Sequence, residues 1–209
     1  MTISYAIPVC NEWMELESLL NYLFKHKREQ DEIVVQCDKG NTTPSVYQVL
    51  QEYSTYHSVG FKIIEYPLNK DFASFKNNLK EHCSGDYIFQ IDADEYPDDY
   101  LMDTIETVIN MNDKVDIFWV PRINKVNGLT KEHITQWGWN VDQDNRVNFP
   151  DYQCRIMKNV KRIKWKNKVH EVLTGHKTES HLPANDEFCL IHIKDIKRQE
   201  QQNKLYETL

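Results

Sequence analysis

Three carboxylates, Asp92, Asp94 and Glu95, directly follow an apolar run at 86–91. Such a run is typical of a parallel strand buried on both faces, and in open α/β sheets ligands bind outside the carboxyl ends of such strands. Asp92 and Asp94 are two residues apart, so an extended chain would project both side chains to the same side. Two such carboxylates supply hard oxygen ligands for Mg²⁺ or Mn²⁺, with substrate phosphates completing the coordination shell. A solvated acidic turn before a helix is the alternative interpretation.

The elements that must position these carboxylates alternate along the first half of the chain. Apolar runs at 3–9, 33–35, 61–64 and 86–91 predict four strands, and helical spacing of apolar residues between them predicts three helices. The third helix is expected to span 69–83. This alternation predicts parallel strands with right-handed crossovers, a Rossmann-like half that ends at the carboxylates.

The composition and pattern of the sequence change near residue 113, where the second half begins. A helix is predicted at 96–112, and short aromatic-rich segments follow it, which predict antiparallel or mixed strands and hairpins. Trp137-Gly138-Trp139 is interpreted as one of these β-like pieces. The others are 147–149, 152–157 and 163–165.

The end of the chain is predicted to hold a buried strand at 188–191 and a charged closing helix at 194–209. Ile196 and Leu205 are the expected packing points of this helix, which is also a candidate surface for a second copy of the chain in a homo-oligomer. The length of 209 residues and the 40% hydrophobic content predict one domain over 1–209.

The net charge of −7 indicates small-molecule partners. A general nucleic-acid binder would need a basic face, so nucleic-acid binding is not expected.

Cysteine usage and hydropathy favour a cytoplasmic protein. The five cysteines are odd in number and include no Cys-x-x-Cys pair, which predicts reduced and mostly buried thiols. No basic and apolar leader is apparent, and no apolar run approaches the roughly 18 residues of a membrane span.

Five segments, in order, resemble family 2 glycosyltransferases of the GT-A fold, in particular a bacterial and phage-type branch. Each segment alone is a weak signal, but together they cover most of the chain. They are 3–12, 71–77, 85–95, 149–156 and 165–171.

The resemblance implies an α/β fold with a Rossmann-like mixed sheet flanked by helices, a smaller acceptor-side β subregion and a C-terminal helix. It makes 1–112 the nucleotide-sugar half of the single domain and 113–209 the acceptor-side half with its closing helix. It implies an inverting hexosyltransferase-type enzyme that moves a sugar from a nucleoside-diphosphate sugar, by family habit a UDP-sugar, to a glycan or other acceptor hydroxyl. The expected cofactor is Mn²⁺ or Mg²⁺, held by the Asp-x-Asp motif.

Donor-binding residues carry over from this resemblance. Pro8, Asn11 and Glu12 match the loop after the first strand that borders the nucleotide, and Asp38 matches the acidic position that meets the base. Asp92 belongs to the same donor set. An Asx turn is the alternative role of Asp38.

Lys76 stands where the family usually has Arg. A lysine can meet a phosphate as a point charge but lacks the planar fork for bidentate contact. A solvated helix face is the alternative environment for this side chain.

The resemblance also places the metal site and the base. Asp92 and Asp94 would bind the metal, and a late histidine would complete the site, with His170 favoured over His192 because its segment lies at the family's distance. Asp151 matches the region of the catalytic base, although the commoner pattern there has an acidic pair; Glu171 is the fallback.

Four aromatic residues are candidate platforms for sugar rings, of which one or two are expected near the acceptor and the rest in the core. They are Trp137, Trp139, Tyr152 and Trp165.

Three other functions fit parts of the pattern. A nucleotidyltransferase would need a glycine-rich loop after the first strand, where 8–12 contains no glycine. An aspartyl-phosphate phosphatase would carry its Asp-x-Asp after the first strand rather than the fourth. A non-catalytic nucleotide- or sugar-binding module descended from a transferase remains the main alternative, and donor hydrolysis would distinguish it from an enzyme.

Overall fold

The computed structural model describes residues 1–206, and within the last helix it describes side chains through residue 200 and that of Asn203. A central sheet of seven strands organises the chain. In spatial order the strands are β11 (Glu179–His181), β6 (Ile117–Val120), β8 (Gln153–Lys158), β4 (Tyr87–Gln90), β1 (Ile3–Val9), β2 (Glu32–Asp38) and β3 (Phe61–Tyr66).

The four strands predicted for the first half are confirmed, and they are parallel. β1 pairs with β2 on one side and with β4 on the other, and β3 pairs with β2. All seven residues of β2 and all four of β4 are buried, which is why these segments read as apolar runs rather than as alternating strands. Beyond β4, the strands β8 and β6 are antiparallel neighbours, so the sheet is mixed.

Three helices connect the parallel strands: α1 (Trp13–His26), α2 (Pro44–Tyr56) and α3 (Phe72–Glu81). The predicted start of α3 at Asn69 is wrong. Asn69 and Lys70 have positive φ angles of 47° and 57°, so the chain turns there before the helix begins. Asp71 then caps the helix by accepting a hydrogen bond from the Ser74 N–H at 2.9 Å.

A second sheet of three strands lies beside the carboxylates. Its strands are β5 (Glu95–Pro97), β12 (Leu190–Asp195) and β7 (Arg122–Asn127), with β12 in the middle. β12 is antiparallel to β5 and parallel to β7, and the register aligns Glu95, His192 and Asn124 in one row across the sheet. Directly paired residues project to the same face, so this row brings three polar side chains together.

The helix predicted at 96–112 begins later than expected. Residues through Pro97 belong to β5, and α4 spans Asp99–Met111 with Asp98 as its cap. The Asp98 side chain accepts a hydrogen bond from the Tyr100 N–H at 2.9 Å. A strand of three residues is too short to leave a periodic signal, so the sequence did not reveal β5.

The β-like interpretation of Trp137-Gly138-Trp139 is wrong. A helix, α5 (Lys131–Trp137), ends there, and Gly138 has a φ of 64° that suits a left-handed helix cap. The remaining elements of the second half are the pair β9 (Lys164–Lys166) and β10 (Val172–Thr174), a 3₁₀ turn at Asp186–Phe188 and the closing helix α6 (Ile196–Tyr206).

The closing helix begins at Ile196 rather than at 194, because residues 194 and 195 still belong to β12. The Ile196 side chain lies near Gly128, as the prediction of a packing point requires. Residues 207–209 and the side chain of Leu205 lie outside the described part of the chain.

Apolar side chains pack against both faces of the central sheet. Leu16, Leu20 and Leu23 of α1 are fully buried at helical spacing. All five cysteines are free, and four of them are buried. Within residues 1–206, none of the helices is long and apolar enough to cross a bilayer.

Candidate functional site

A polar cavity of about 430 Å³ lies where the end of β4 meets the three-stranded sheet. Asp92 and Asp94 both line it, as do Asp151, Arg155 and His192. The cavity therefore joins the carboxylates of the first half of the chain to charged side chains of the second half.

The Asp-x-Asp segment is a turn and not an extended strand. β4 ends at Gln90, and the Glu95 N–H donates to the Asp92 carbonyl at 2.9 Å, which closes the turn. The prediction that an extended chain aligns the two aspartates is therefore wrong, although both side chains still reach the same cavity.

Arg155 compensates the charge of Asp92. Its Nη2 lies 2.5 Å from Asp92 Oδ2 and 2.7 Å from Glu95 Oε1, and the residue is only 3% exposed. Burial alone would raise the pKa of Asp92, but the charge and hydrogen bond of Arg155, together with the charges of Lys76 and Arg122, hold this pKa well below its usual range. Asp92 is consequently ionised at neutral pH.

Asp94 faces a histidine and a second arginine. His192 Nε2 lies 3.2 Å from Asp94 Oδ2, and Arg198 Nη2 lies 3.4 Å from the same oxygen. Burial would raise the pKa of Asp94, whereas the hydrogen bond and charge of a protonated His192 would lower it, and the net shift is downward. Arg198 also contacts Glu12 and Glu15, so α6 is tied to the start of α1 beside Asp94.

Asn124 links His192 to Asp151. Its Nδ2 donates to Asp151 Oδ2 at 2.7 Å, which directs its Oδ1 toward His192 Nδ1 at 2.8 Å. Since Asn124 Oδ1 can only accept, His192 carries its proton on Nδ1, and a neutral ring presents a lone pair at Nε2. That lone pair faces the Asp94 carboxylate.

This arrangement fits a divalent cation. Two acceptors that face each other at 3.2 Å need a proton or a cation between them. Carboxylate oxygens and a neutral imidazole are ligands that Mn²⁺ accepts. Among the described residues no group of three or more His, Cys, Asp or Glu side chains is already gathered at metal-binding distances. Asp92, Asp94 and His192 are the cavity residues whose chemistry would suit a cation.

The structure places His170 and His192 differently. His192, 4% exposed, lines the cavity. His170 is in a turn with a φ of 54° and does not line the cavity, although its neighbour Glu171 does. The preference for His170 rested on sequence distance alone, whereas the register of β12 brings His192 to Asp94.

Asp151 is held by three side chains. Arg122 Nη2 and Asn124 Nδ2 donate to its Oδ2 at 2.6 and 2.7 Å, and Gln153 Nε2 donates to its Oδ1 at 2.8 Å. Burial would raise the pKa of Asp151, but the charge of Arg122 and these hydrogen bonds lower it. The carboxylate is therefore ionised and fixed in orientation.

Lys76 lies at the cavity rather than on a solvated helix face. Its side chain is 13% exposed and forms an ion pair with Glu171. Its Nζ also lies 4.6 Å from the centroid of the Trp165 ring. Glu171, the fallback base, thus compensates the positive charge that Lys76 brings to the cavity.

The residues expected to border the nucleotide lie outside this cavity. Asp38 ends β2, is 5% exposed, and accepts hydrogen bonds from the Leu68 N–H at 2.9 Å and from Asn41 Nδ2 at 3.0 Å. Glu12 accepts the N–H groups of Cys10 and Asn11 at 2.9 and 3.0 Å, which folds the loop after β1 back on itself.

Pro8 belongs to β1 and not to the loop after it, so its predicted place is wrong. The Ala6 carbonyl accepts a hydrogen bond from the Ile91 N–H at 3.0 Å, so Ala6 faces β4. Pro8, two residues on, faces the same side beyond the end of β4, where the missing N–H of a proline costs no ladder bond.

Sequence reasoning missed the polar side chains of β7. Arg122 and Asn124 alternate with the buried Ile123, a period of two that marks a half-exposed strand. That pattern could have identified a strand with one polar face, but only the register with β12 shows that this face meets the carboxylates. Arg155 lies inside a segment that carried the family resemblance, but its ion pairs with Asp92 and Glu95 could be identified only from the folded structure.

The family model for glycosyl transferase family 2 matches residues 4–170. The chain belongs to this family. The match includes Asp92, Asp94, Asp151 and Arg155 and ends at His170, whereas His192 lies beyond it.

Solved structures with the same fold include S. aureus TarS. TarS 1–349 superposes with a TM-score of 0.64 at 15% identity, over 92% of this chain and 60% of that chain. TarS 1–349 in complex with UDP-GlcNAc gives a TM-score of 0.66 at 16% identity, over 93% of this chain and 59% of that chain. This chain thus spans about 60% of the length of those relatives. The predicted GT-A fold, a mixed α/β sheet flanked by helices, is confirmed.

Proposed function

We propose that this family 2 chain is an inverting glycosyltransferase that uses a nucleoside-diphosphate sugar and a divalent cation. The observation that carries the proposal is a single polar cavity. Asp92, Asp94 and His192 line it, and so does Asp151, whose carboxylate is fixed by hydrogen bonds. A sugar transfer needs both: groups that stabilise a leaving diphosphate and a base for the acceptor hydroxyl.

A UDP-sugar is the first donor to test. One structure with this fold is described as a complex with UDP-GlcNAc. Asp38 and the loop at 10–12 lie at the carboxyl ends of β2 and β1, the edge where open α/β sheets bind nucleotides. The uracil base and the nucleotide-binding role of Asp38 and residues 10–12 are proposals that go beyond the family assignment.

Asp92, Asp94 and His192 are the residues that would hold Mn²⁺ or Mg²⁺. A bound cation would neutralise the charge that develops on the diphosphate as it leaves. Lys76 adds a positive charge at the same cavity and would stabilise a phosphate oxygen in place of its bond to Glu171. His170 has no part in this proposal.

Asp151 is the proposed base. Its Oδ2 accepts hydrogen bonds from Arg122 and Asn124, whereas its Oδ1 accepts only that of Gln153 among the described side chains. Oδ1 is therefore the more basic oxygen and the one that takes the proton of the acceptor hydroxyl. Arg122 holds the carboxylate in place while the hydroxyl oxygen attacks the anomeric carbon from the face opposite the diphosphate.

A non-catalytic binding module is the second candidate. Arg155 compensates Asp92 and Arg198 contacts Asp94, so both aspartates already have protein cations as partners. A module of this kind would bind a nucleoside diphosphate without turning over its sugar conjugate.

Donor turnover separates the two candidates. The purified chain is incubated with a panel of UDP-, GDP- and dTDP-sugars and Mn²⁺, and NMR follows the anomeric signals of donor and product. The proposal predicts release of diphosphate from one donor with inversion of the anomeric configuration, and a loss of at least about 10²-fold in rate for Asp151→Asn. A product that retains the configuration, or unchanged turnover in Asp151→Asn, would refute the assigned chemistry.

A further inference from the structure

Trp139 is the candidate sugar platform that the fold places at the cavity. Of the four aromatic residues singled out in the sequence, it alone lines the cavity in the described structure. Trp165 is buried beneath Lys76, and the Tyr152 hydroxyl donates to the Leu182 carbonyl at 2.9 Å. Trp137 packs behind Trp139 with ring centroids 4.7 Å apart.

The segment that carries Trp139 is anchored to the site. The Val147 N–H donates to the Asn124 carbonyl at 2.8 Å, which ties the segment to β7 next to His192. The Asn140 N–H donates to Asn148 Oδ1 at 2.9 Å, and the Asn148 N–H donates to the Asn140 carbonyl at 2.7 Å. Trp139 directly precedes this pair, so its backbone is held in place, and its ring packs on that of Trp137.

A charged cluster stiffens the same segment from the outside. Arg146 binds Asp142 and Asp186, each at 2.7 Å, and stacks over Phe149 at 4.0 Å from the ring centroid. None of the residues of α5, the helix directly before this segment, is buried, and Trp139 itself is half-buried. The contacts of this segment hold a half-exposed indole at the edge of a polar cavity.

This combination has the chemistry of a carbohydrate subsite. A pyranose ring presents C–H groups on its faces, which pack on an aromatic ring, and hydroxyl groups around its edge, which need polar partners. Trp139 supplies the aromatic ring, while Asn148, Gln153 and Asp151 supply polar atoms around the same cavity.

We propose that Trp139 and Asn148 form a subsite for a pyranose ring of the acceptor, so that the acceptor is a glycan. The inference rests on the proposed function and deepens it. Asp151, the proposed base, lines the same cavity, and a ring on Trp139 would lie in the space from which its hydroxyl is deprotonated. The segment of Trp139 is bonded to Asn124, whose side chain holds the proposed base Asp151, which assigns the ring to the acceptor. Asp38 and the loop at 10–12, the residues proposed for the donor nucleotide, do not line this cavity.

The experiment uses the indole N–H signals of the full chain. Five tryptophans give five signals in a ¹H–¹⁵N spectrum, and loss of one signal in Trp139→Phe assigns that of Trp139. The chain is saturated with UDP and Mn²⁺ and then titrated with methyl pyranosides of glucose, galactose, mannose and N-acetylglucosamine. We expect at least one pyranoside to shift the Trp139 signal and to leave that of Trp119 in place, because Trp119 is stacked on His181 away from the cavity.

Two variants measure the contribution of the ring. Trp139→Ala should weaken binding of that pyranoside about tenfold, and Trp139→Phe, which keeps an aromatic face, by no more than about threefold. Neither variant should change the affinity for UDP. Equal weakening of UDP and pyranoside would indicate general damage to the site and overturn the subsite.

The remaining outcomes distinguish the inference from the function on which it rests. If UDP binds but no pyranoside shifts Trp139, the subsite is refuted and the transferase proposal stands. If UDP alone shifts Trp139, the ring belongs to the donor side and the acceptor assignment is wrong. If none of UDP, GDP and dTDP binds, the proposed function fails and the acceptor role fails with it.

Discussion

Arg155→Gln tests the buried charge network that supports the site. The Arg155 side chain is 4% exposed and neutralises Asp92 and Glu95, and the Glu95 side chain is fully buried. Removal of one partner from a buried ion pair costs about 3–5 kcal/mol, because the other charge stays buried without compensation. In the variant Glu95 would still form its ion pair with Arg122 at 2.7 Å, and the Asp92 side chain is 33% exposed to solvent. We therefore expect a loss at the lower end of this range, about 3 kcal/mol.

A loss of about 3 kcal/mol lowers the folding equilibrium constant by about 10²-fold. Domains of this kind are stable by about 5–15 kcal/mol, so the variant should still fold. The assay is urea unfolding at pH 7, followed by tryptophan fluorescence and by circular dichroism. Coincident transitions and an unchanged m-value establish that the free energies of unfolding are comparable.

Arg162→Gln is the matched control. Arg162 donates to Asp116 at 2.8 Å, but its side chain is 41% exposed, so its loss should cost less stability than the loss of Arg155. The reasoning is refuted if Arg155→Gln loses no more stability than Arg162→Gln.

Three further perturbations follow from the structure. Asn124→Ala should weaken Mn²⁺ binding by about tenfold or more, measured by the EPR signal of free Mn²⁺, because the amide orients the imidazole that is proposed to hold the cation; unchanged affinity would contradict that role. Burial alone would raise the pKa of Glu32, but the hydrogen bonds it accepts lower it from 4.5 to about 2, so its contribution is present above pH 4.5 and lost as the pH falls toward 2. Glu32→Gln should therefore cost about 2 kcal/mol at pH 7 and almost nothing near pH 2, and a deficit that does not change with pH would refute the assignment. Gly175→Ala should destabilise far more than Gly138→Ala in urea unfolding: both positions have positive φ angles, but a Cβ at 175 overlaps a backbone carbonyl whereas one at 138 meets no atom within 4 Å.

β1, β2 and β4 could be predicted because their burial on both faces leaves apolar runs. Asp92 and Asp94 stood out for the same reason, since carboxylates that end such a run are conspicuous. β5 and α5 could not be predicted, because three and seven residues are too few for a period to emerge. Gly138 was informative only once the helix before it was known.

The composition of the site could not be read from the sequence for a different reason. Asn124 and His192 are 68 residues apart, and only the parallel register of β7 and β12 makes them neighbours. The sequence offered two late histidines with equal chemistry, and strand register, which local patterns do not encode, brought His192 to Asp94. Arg155 likewise became a partner of Asp92 through the antiparallel pairing of β8 with β4.

The measurement that tests the central claim most directly is calorimetric titration with UDP, GDP and dTDP, each with and without Mn²⁺. Wild type and Asp94→Asn are compared, with His192→Gln and His170→Gln as a matched pair. We predict that one diphosphate binds wild type only with Mn²⁺, that Asp94→Asn abolishes binding, and that His192→Gln weakens it while His170→Gln does not. Metal-independent binding, or Asp94→Asn that binds like wild type, would contradict a metal-assisted transferase site at the end of β4.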